Sequence, residues 1–451
     1  MLYRMFGFLV LLFCGCGLPP PLPPVEKPAA GYWYDDFRAR RMQLPDAPLL
    51  AGAARVKITP DWHGLRIAGH GHFRKHAKGK LDDLFCRVLY IDSGERAVVL
   101  VSVDFIGWPY HRLLRVRERI TRNFGQEILI AATHNHAGPD TEGLWGPALL
   151  GLLPVKNGVD REYLEWVEKK MAQAILKAVA RARPARLYAG RVEVPEGLAV
   201  NLREPEDLPR QALVLRAADT RDGFSIGTVV VWGNHAESLQ DKSRWLSADW
   251  PGVLCRELEL ALGGVALFFS GPAGGMIEPA NHPDDPEEAR LAFREKLGGA
   301  VAGEVIRLVI GGLEQLPRPK VRLAARRLEL ELEPGGTIEL AMKLGLLEPR
   351  PMAGKGLISE MALVDLGAMQ LLFVPGELTP EVGRSLEKLL PGPYVLVITL
   401  GLDHLGYMIS DRQWQDQRFE YERQMSLGPK TTSQILQAAT SLASELCSKT
   451  W

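Results

Sequence analysis

"RAVVLVSVDFIGWPYHRLLRVRERITRNFGQEILIAATHNHAGPD", residues 96–140, decides the fold class. Arg96 to Gly107 is a β-branched apolar run, the pattern of a strand buried on both faces. "HRLLRVRERITRNFG" then sets Leu113, Leu114, Val116 and Ile120 near helical spacing, with Gly125 as its stop. "EILIAAT" is a second strand. Strand, helix and strand in that order form a crossover unit, so the two strands pair in parallel. His134 and His136 come directly after, in a chain that has ten histidines.

The alternation continues outward. A long helix is predicted over Arg161 to Arg183, stopped by Pro184. "FSIGTVVVWGN" is a buried strand, and "PGVLCRELELALGG" a helix with Pro251 at its first position. "VALFFSG" is a strand and "PEEARLAFREKLGGAVAGEVIRLVIGG" a helix. "KVRLAARRLELELE" alternates near its end, a strand with one wet face. "MALVDLGAMQLLFVPG" predicts a hairpin turning at Gly367. "TPEVGRSLEKLL" is a helix capped by Thr379, "YVLVITLG" a strand, and Thr432 to Cys447 the last helix. The predicted class is α/β: mixed β-sheets with flanking helices in one large catalytic domain over residues 48–451.

The apolar content of 46% is ample for a core, and equal counts of basic and acidic residues, 54 each, leave no net field to attract nucleic acid or anionic lipid. Residues 1–17 have the shape of a secretory signal: Arg4, an apolar core, then small residues. Cys16, between Gly15 and Gly17, is a candidate for lipid modification, and plain secretion is the alternative. Residues 18–47 begin with "LPPPLPP", a stiff spacer and N-terminal extension. The expected location is therefore secreted or cell-envelope, with membrane-surface association through a lipid anchor. Cys86, Cys255 and Cys447 remain after such processing; an odd number in apolar surroundings reads as core cysteines, not a disulfide framework.

Sites in open α/β sheets form beyond the carboxyl ends of strands. Four predicted strands run into polar chemistry there. "EILIAAT" leads to His134 and His136, and "TVVVWGN" to His235. "MQLLFVPG" leads to Glu377, and "YVLVITLGLD" to His404 and Tyr407. Residues two apart on a strand share a face, so His134 and His136 have one cavity in common. Two imidazoles, a carboxylate and a further oxygen suit a zinc ion. The residues alone leave open a hydrogen-bonded strand cap at the histidine pair.

"AGAARVKITP", "THNHAGPD", "NHAESL", "LSADWPG", "VPGELT" and "GLDHLGYMISDRQW" resemble, in order and rough spacing, the catalytic domain of the neutral (alkaline, non-lysosomal) ceramidase family. The resemblance implies a zinc amidohydrolase. On the family pattern His134, His235, Glu377 and Tyr407 hold the metal. Glu377 also serves as base, and His136 as proton donor or oxyanion group. Arg203, in "AVNLRE", matches the family's arginine and joins the catalytic set. The implied reaction is hydrolysis of an N-acyl amide of a lipid-like, sphingolipid-type substrate by metal-activated water.

Departures from the pattern fall in the headgroup region. Glu278 or Ile277 stands where the family has a substrate-contacting serine, Phe419 where it has a tyrosine, and His404 where it has another tyrosine. Phe419, Glu278 and His404 are therefore the expected substrate contacts, in a rebuilt pocket. No C-terminal β-sandwich domain is expected. Two alternatives stand beside this reading: a zinc esterase or deacylase of a non-sphingolipid substrate, and a non-catalytic surface-binding lipoprotein.

Further polar features read in two ways. His70 and His72, in "GHGHFRKH", are a rival metal pair or a plain loop. Asp104 and Asp249 either support a ligand or cap local backbone. His282 reads as loop. Trp145 with Leu149 to Leu153 is a hydrophobic entrance wall or ordinary core.

Overall fold

The computed structural model describes residues 48–60, 65–69, 76–120, 125–149 and 153–448, and in it the crossover unit forms as the sequence predicts. Strand Ala97–Val103 is buried at every position and pairs in parallel with Ile128–Ala132. Helix Tyr110–Ile120 between them buries Leu113, Val116 and Ile120. The signal over 1–17, the spacer over 18–47 and the pair His70 and His72 lie outside the described residues, as does the side chain of Cys447.

A second crossover unit repeats the first. Ser225–Trp232 and Val265–Ser270 pair in parallel, joined through helix Asp249–Leu262. Pro251 is the third residue of that helix, not the first, because the turn begins at Asp249. Both units belong to one nine-stranded sheet and stand at its two ends. Its main path runs Val265–Ser270, Ser225–Trp232, Gln211–Asp219, Arg183–Glu193, Leu50–Lys57, Phe85–Asp92, Ala97–Val103, Ile128–Ala132. The pairings along this path between the two units are antiparallel, so the sheet is mixed.

The two ends do not stay apart. The Ser102 hydroxyl, in one unit, donates to the Phe268 carbonyl of the other at 2.6 Å. A Cβ on Gly227 would come within 2.8 Å of Leu89. The sheet has therefore folded over itself, and the two parallel units face one another.

A five-stranded sheet completes the fold, with main path Arg322–Glu331, Gly356–Asp365, Met369–Phe373, Tyr394–Ile398. Its central hairpin turns at Gly367, whose φ of 89° explains the glycine. Along Arg322–Glu331, Leu328 and Leu330 are buried while Glu329 and Glu331 face water. Residues leaving Tyr394–Ile398 tie the two sheets together. Thr399 N–H donates to Ser270 O at 2.9 Å, and Leu402 N–H to Ile130 O at 2.7 Å. This segment thus bonds to both edge strands of the large sheet. It delivers Asp403 to Tyr407 to the place where those edges end.

Two predicted elements differ. The long helix is Arg161–Ala180, and Pro184 lies inside strand Arg183–Glu193. Pro184 sits near the start of that strand, opposite Leu50, where it needs no N–H of its own. Thr379 is the backbone N-cap of Pro380–Glu387, but its hydroxyl donates to Gln413 at 2.7 Å instead of capping. Among the described residues no helix is long and apolar enough to cross a membrane.

Candidate active site

Strand Ile128–Ala132 ends two residues before His134, so the histidine pair sits in a turn and not on the strand face that the spacing suggested. His134 has φ 60°, a conformation that costs a non-glycine residue about 1–3 kcal/mol and needs firm support. Asn135 provides it. Its amide donates to the carbonyls of Asp104 and Ser247, at 3.1 and 2.7 Å, and its Oδ1 accepts from Ala137 N–H. His136 N–H donates to Ala236 O at 3.0 Å, which joins the first histidine turn to the segment after Ser225–Trp232. That segment carries His235. Asp249, itself at φ 52°, pins it by accepting from Ser238 and Leu239 N–H.

Three imidazoles meet there. His134, His136 and His235 are buried, with one ring nitrogen of each within 4.8 Å of the others. Nδ1 of His134 lies 2.9 Å from the Ile106 carbonyl, and Nδ1 of His235 lies 2.8 Å from the Ile277 carbonyl. A carbonyl oxygen only accepts, so Nδ1 carries the hydrogen in both rings. In the neutral rings Nε2 is then a free lone pair, and both Nε2 atoms point at Glu377 Oε2, 3.2 and 3.5 Å away. That oxygen is buried and has no formed hydrogen bond. Nitrogen and oxygen atoms converging on one point can hold a cation between them, either a proton on an imidazole Nε2 or a metal ion that displaces it.

The charges follow from burial. Burial pushes His134 down to about 4, so it is neutral. Burial also opposes a charge on Glu377, but His134, His235 and His404 hold its carboxyl well below the usual range. The balancing charge sits on the other two rings. His235 is lifted to about 9, because Glu377 and Glu237 outweigh burial, and His404 rises to about 9 between Glu142 and Glu377.

The remaining sequence-predicted residues separate into two groups. Glu377 and Tyr407 are register partners in a two-stranded parallel ladder, which sets the tyrosine beside the carboxylate. Tyr407 and His404 line a cleft with His134, His136 and Glu377, enclosing about 680 Å³ with its open mouth. Arg203, Glu278 and Phe419 do not line this cleft. The Arg203 guanidinium pairs with Glu422 at 2.8 Å. Phe419 is buried against Tyr407 and Ile409, so Tyr421, not Phe419, faces the cleft. Glu278 is half-buried, and burial, then Glu237, lifts its carboxyl to about 7.

Asp104 does not reach the histidines with its side chain. It forms a buried pair with Arg87 at 2.7 Å and accepts Phe85 N–H at 2.7 Å; only its carbonyl serves the site, through Asn135. His282 is exposed beside Asp284. Cys86 and Cys255 are buried free thiols, pushed up by burial and so inert. Trp145 lines the cleft, whereas Leu149 is exposed.

Sequence reasoning passed over Glu142 and gave Glu237 no role. Glu237 Oε2 lies 3.0 Å from His136 Nδ1, and Glu142 Oε1 lies 3.5 Å from His404 Nδ1. Each carboxylate stands behind an imidazole of the cleft. Glu142 is six residues from His136 in "THNHAGPDTE", but nothing in that spacing reveals that it reaches His404, which follows more than two hundred residues later.

No protein-family model matches the chain. It is 22% identical over 270 residues to neutral ceramidase of Pseudomonas aeruginosa, covering 54% of this chain and 39% of the relative. It is likewise 22% identical over 255 residues to neutral ceramidase B of Dictyostelium discoideum, covering 52% and 34%. The matched region is thus well under half the length of these curated relatives. The crystal structure of the Pseudomonas neutral ceramidase superposes with TM-score 0.74 at 18% identity, over 90% of this chain and 75% of that one. A ceramidase complexed with C2 gives the same TM-score, 0.74, at 19% identity, over 90% and 76%. The chain has the mixed-sheet fold of the neutral ceramidases. In sequence and in fold it is similar to the neutral ceramidases.

Proposed function

We propose that the chain is a zinc-dependent hydrolase of N-acyl amides with a lipid-like acyl part. One observation carries this reading: the convergence of His134 Nε2, His235 Nε2 and the hydrogen-bond-free Glu377 Oε2. His134, His235 and Glu377 would hold the ion, with Tyr407 beside them. His136 stands close enough to join them or to serve the substrate, its Nε2 being 3.5 Å from that of His134. A bound zinc supplies Lewis acidity toward a carbonyl oxygen and acidifies water to a pKa of about 7.

The chain's own residues divide the proton work. Glu377, ionised under its three imidazole neighbours, accepts the proton of the attacking water. An amide nitrogen leaves only once protonated, and His136 is placed to deliver that proton. Glu237 behind its Nδ1 fixes the ring, so that Nε2 is the exchanging position. Leu144, Trp145, Ile338, Leu347, Leu357 and Leu405 make one wall of the cleft apolar, which suits an acyl chain.

The headgroup side is less like a ceramide site. Phe419 has no hydroxyl and is buried, and Glu278 stands off the cleft. A site without placed donors has little reason to select a sphingoid diol. Residues 1–17 and Cys16 fit export and surface anchoring within the same reading.

The test is metal content and turnover. Purified protein should carry about one zinc per chain, and His134→Ala and His235→Ala should each lose it together with amide hydrolysis. A panel of N-acyl amides, ceramide included, should show turnover that ceramide does not lead. Full zinc occupancy in both variants sinks the ligand assignment, and ceramide preferred by a wide margin sinks the rebuilt headgroup site.

A further inference from the structure

His404 is the site's fourth imidazole and lies outside the trio. Its Nε2 is 3.3 Å from Glu377 Oε1, the oxygen that does not face His134 and His235. Its Nδ1 faces Glu142 Oε1 at 3.5 Å. We infer that His404, backed by Glu142 and Arg350, is a positioning residue that holds Glu377 by Oε1 and so presents Oε2 to the metal. The inference rests on the zinc reading above.

The support behind His404 is continuous and buried. Arg350 pairs with Glu142 Oε2 at 2.5 Å, donates to the His404 carbonyl at 2.9 Å, and ion-pairs with Asp403. Asp403 accepts His404 N–H at 2.9 Å, Tyr110 N–H at 3.0 Å and the Ser359 hydroxyl at 2.8 Å. Asp403 is thus held from helix Tyr110–Ile120, strand Gly356–Asp365 and Arg350, and through it the His404 main chain is fixed. Gly107 closes the fourth side: a Cβ there would lie 2.4 Å from His404 Nδ1 and 2.5 Å from Glu142 Oε1. The space admits these two side chains and nothing more.

A glutamate on a short strand has rotatable bonds through which its carboxylate can turn. A donor on one oxygen removes that freedom and fixes which lone pair meets the ion, which is how groups behind metal ligands commonly act. Tyrosine, the residue of the resembled family at this position, has a different length and offers one hydroxyl. The imidazole spans two carboxylates at once.

The test measures the zinc dissociation constant of the full chain by competition with a chromophoric chelator, together with the visible spectrum of the cobalt(II) form. His404→Phe keeps the ring and loses the donor. It should weaken zinc about 10–100-fold and shift the cobalt spectrum. His404→Gln, whose amide can still donate toward Glu377 Oε1, should restore both toward wild type. Glu142→Gln keeps the packing against Gly107 and should weaken zinc in the same direction. Wild-type affinity and an unchanged cobalt spectrum in His404→Phe overturn the inference while leaving the zinc reading intact. If His404→Phe does not fold, wild-type affinity in Glu142→Gln overturns it instead. A wild-type chain that binds no zinc removes the zinc reading and this inference together.

Discussion

Replacing Glu377 by Gln changes charge with almost no change in shape, and the contacts let the result be worked out. Oε1 faces His404 Nε2 at 3.3 Å, and Oε2 faces two imidazole Nε2 atoms at 3.2 and 3.5 Å. In Glu377→Gln the amide oxygen accepts from His404, and the NH₂ donates to His134 and His235. The buried groups stay hydrogen-bonded, but the charged pair with His235 is gone, so the metal-free fold should melt below wild type near neutral pH and approach it above about pH 9. The metal site does not survive, because an N–H points where a lone pair is needed. Removing a group that only supports a ligand costs about 10–100-fold in affinity, so removing the ligand should cost more than that. Turnover should fall at least about 100-fold, or about 2.7 kcal/mol in barrier. The assay is zinc content by elemental analysis beside kcat on an N-acyl amide. A pH signature accompanies it in the metal-free protein. Glu377 raises His235 to about 9, so that pair stabilises the fold fully below about 6.5 and the contribution is lost as pH rises through about 9. The Gln variant should lack this alkaline loss. Stoichiometric zinc with turnover near wild type in Glu377→Gln refutes the reasoning.

Gly69→Ala places a Cβ 2.5 Å from His136 Cγ at φ 110°, so it should displace the His136 ring and lower kcat while zinc content stays near one; unchanged kcat removes His136 from the chemistry. Burial raises the Glu348 carboxyl, but His111 and Arg112 outweigh it and hold it at about 2, so its stabilisation is present above about 4.5 and lost as pH falls through about 2. Glu348→Gln should therefore destabilise at pH 7 by about 3–5 kcal/mol, the cost of breaking a buried pair, with the gap to wild type closing below about pH 4.5; a gap independent of pH in chemical denaturation refutes it. Chelation should abolish turnover and leave far-ultraviolet circular dichroism unchanged, because the sheets pack through apolar contacts away from the site; loss of the helical signal would show that the metal is structural.

The parts of the fold set by local pattern were legible. Two buried strands around an amphipathic helix announced a parallel pair, and the hairpin at Gly367 announced itself by its turn residue. The antiparallel strands Leu50–Lys57, Phe85–Asp92 and Gln211–Asp219 were not singled out as such, and Arg183–Glu193 was partly absorbed into a helix. Half-polar strands such as "RPARLYAGRVE" carry weak periodicity, and their identity comes from neighbours distant in sequence. At the site the chemical residues were visible because strand ends are where chemistry collects. Their support was not. Glu142, Arg350 and Asp403 meet only through contacts that span as many as 208 positions, as Arg350 and Glu142 do. The expected contacts Phe419 and Glu278 stand off the cleft because alignment by motif places a residue along the chain, not the direction of its side chain.

The strained backbone around the cleft shows why site and fold form together. His134, Leu400 and Leu402 all have positive φ, at 60°, 54° and 72°, and none is a glycine. Each such residue costs about 1–3 kcal/mol and persists only where its surroundings fix it. The surroundings here are the ends of the large sheet and the loop that ties them together. At one edge Ala132 N–H donates to Leu400 O and Leu402 N–H to Ile130 O, and at the other Thr399 N–H donates to Ser270 O. A loop free in solution would relax those angles, and the sheet would then have no clasp between its two parallel units. The imidazole trio needs both units, because His134 leaves one and His235 the other. Bringing the edges together, straining the loop and assembling the imidazoles are therefore one structural event. A substitution that relaxes the clasp, such as Leu402→Gly, removes the side-chain penalty at that position but frees the loop and empties a fully buried core position, so it should lower the melting temperature and loosen zinc binding together. Zinc affinity unchanged in a variant whose melting temperature has already fallen would show that the site is assembled independently of the clasp.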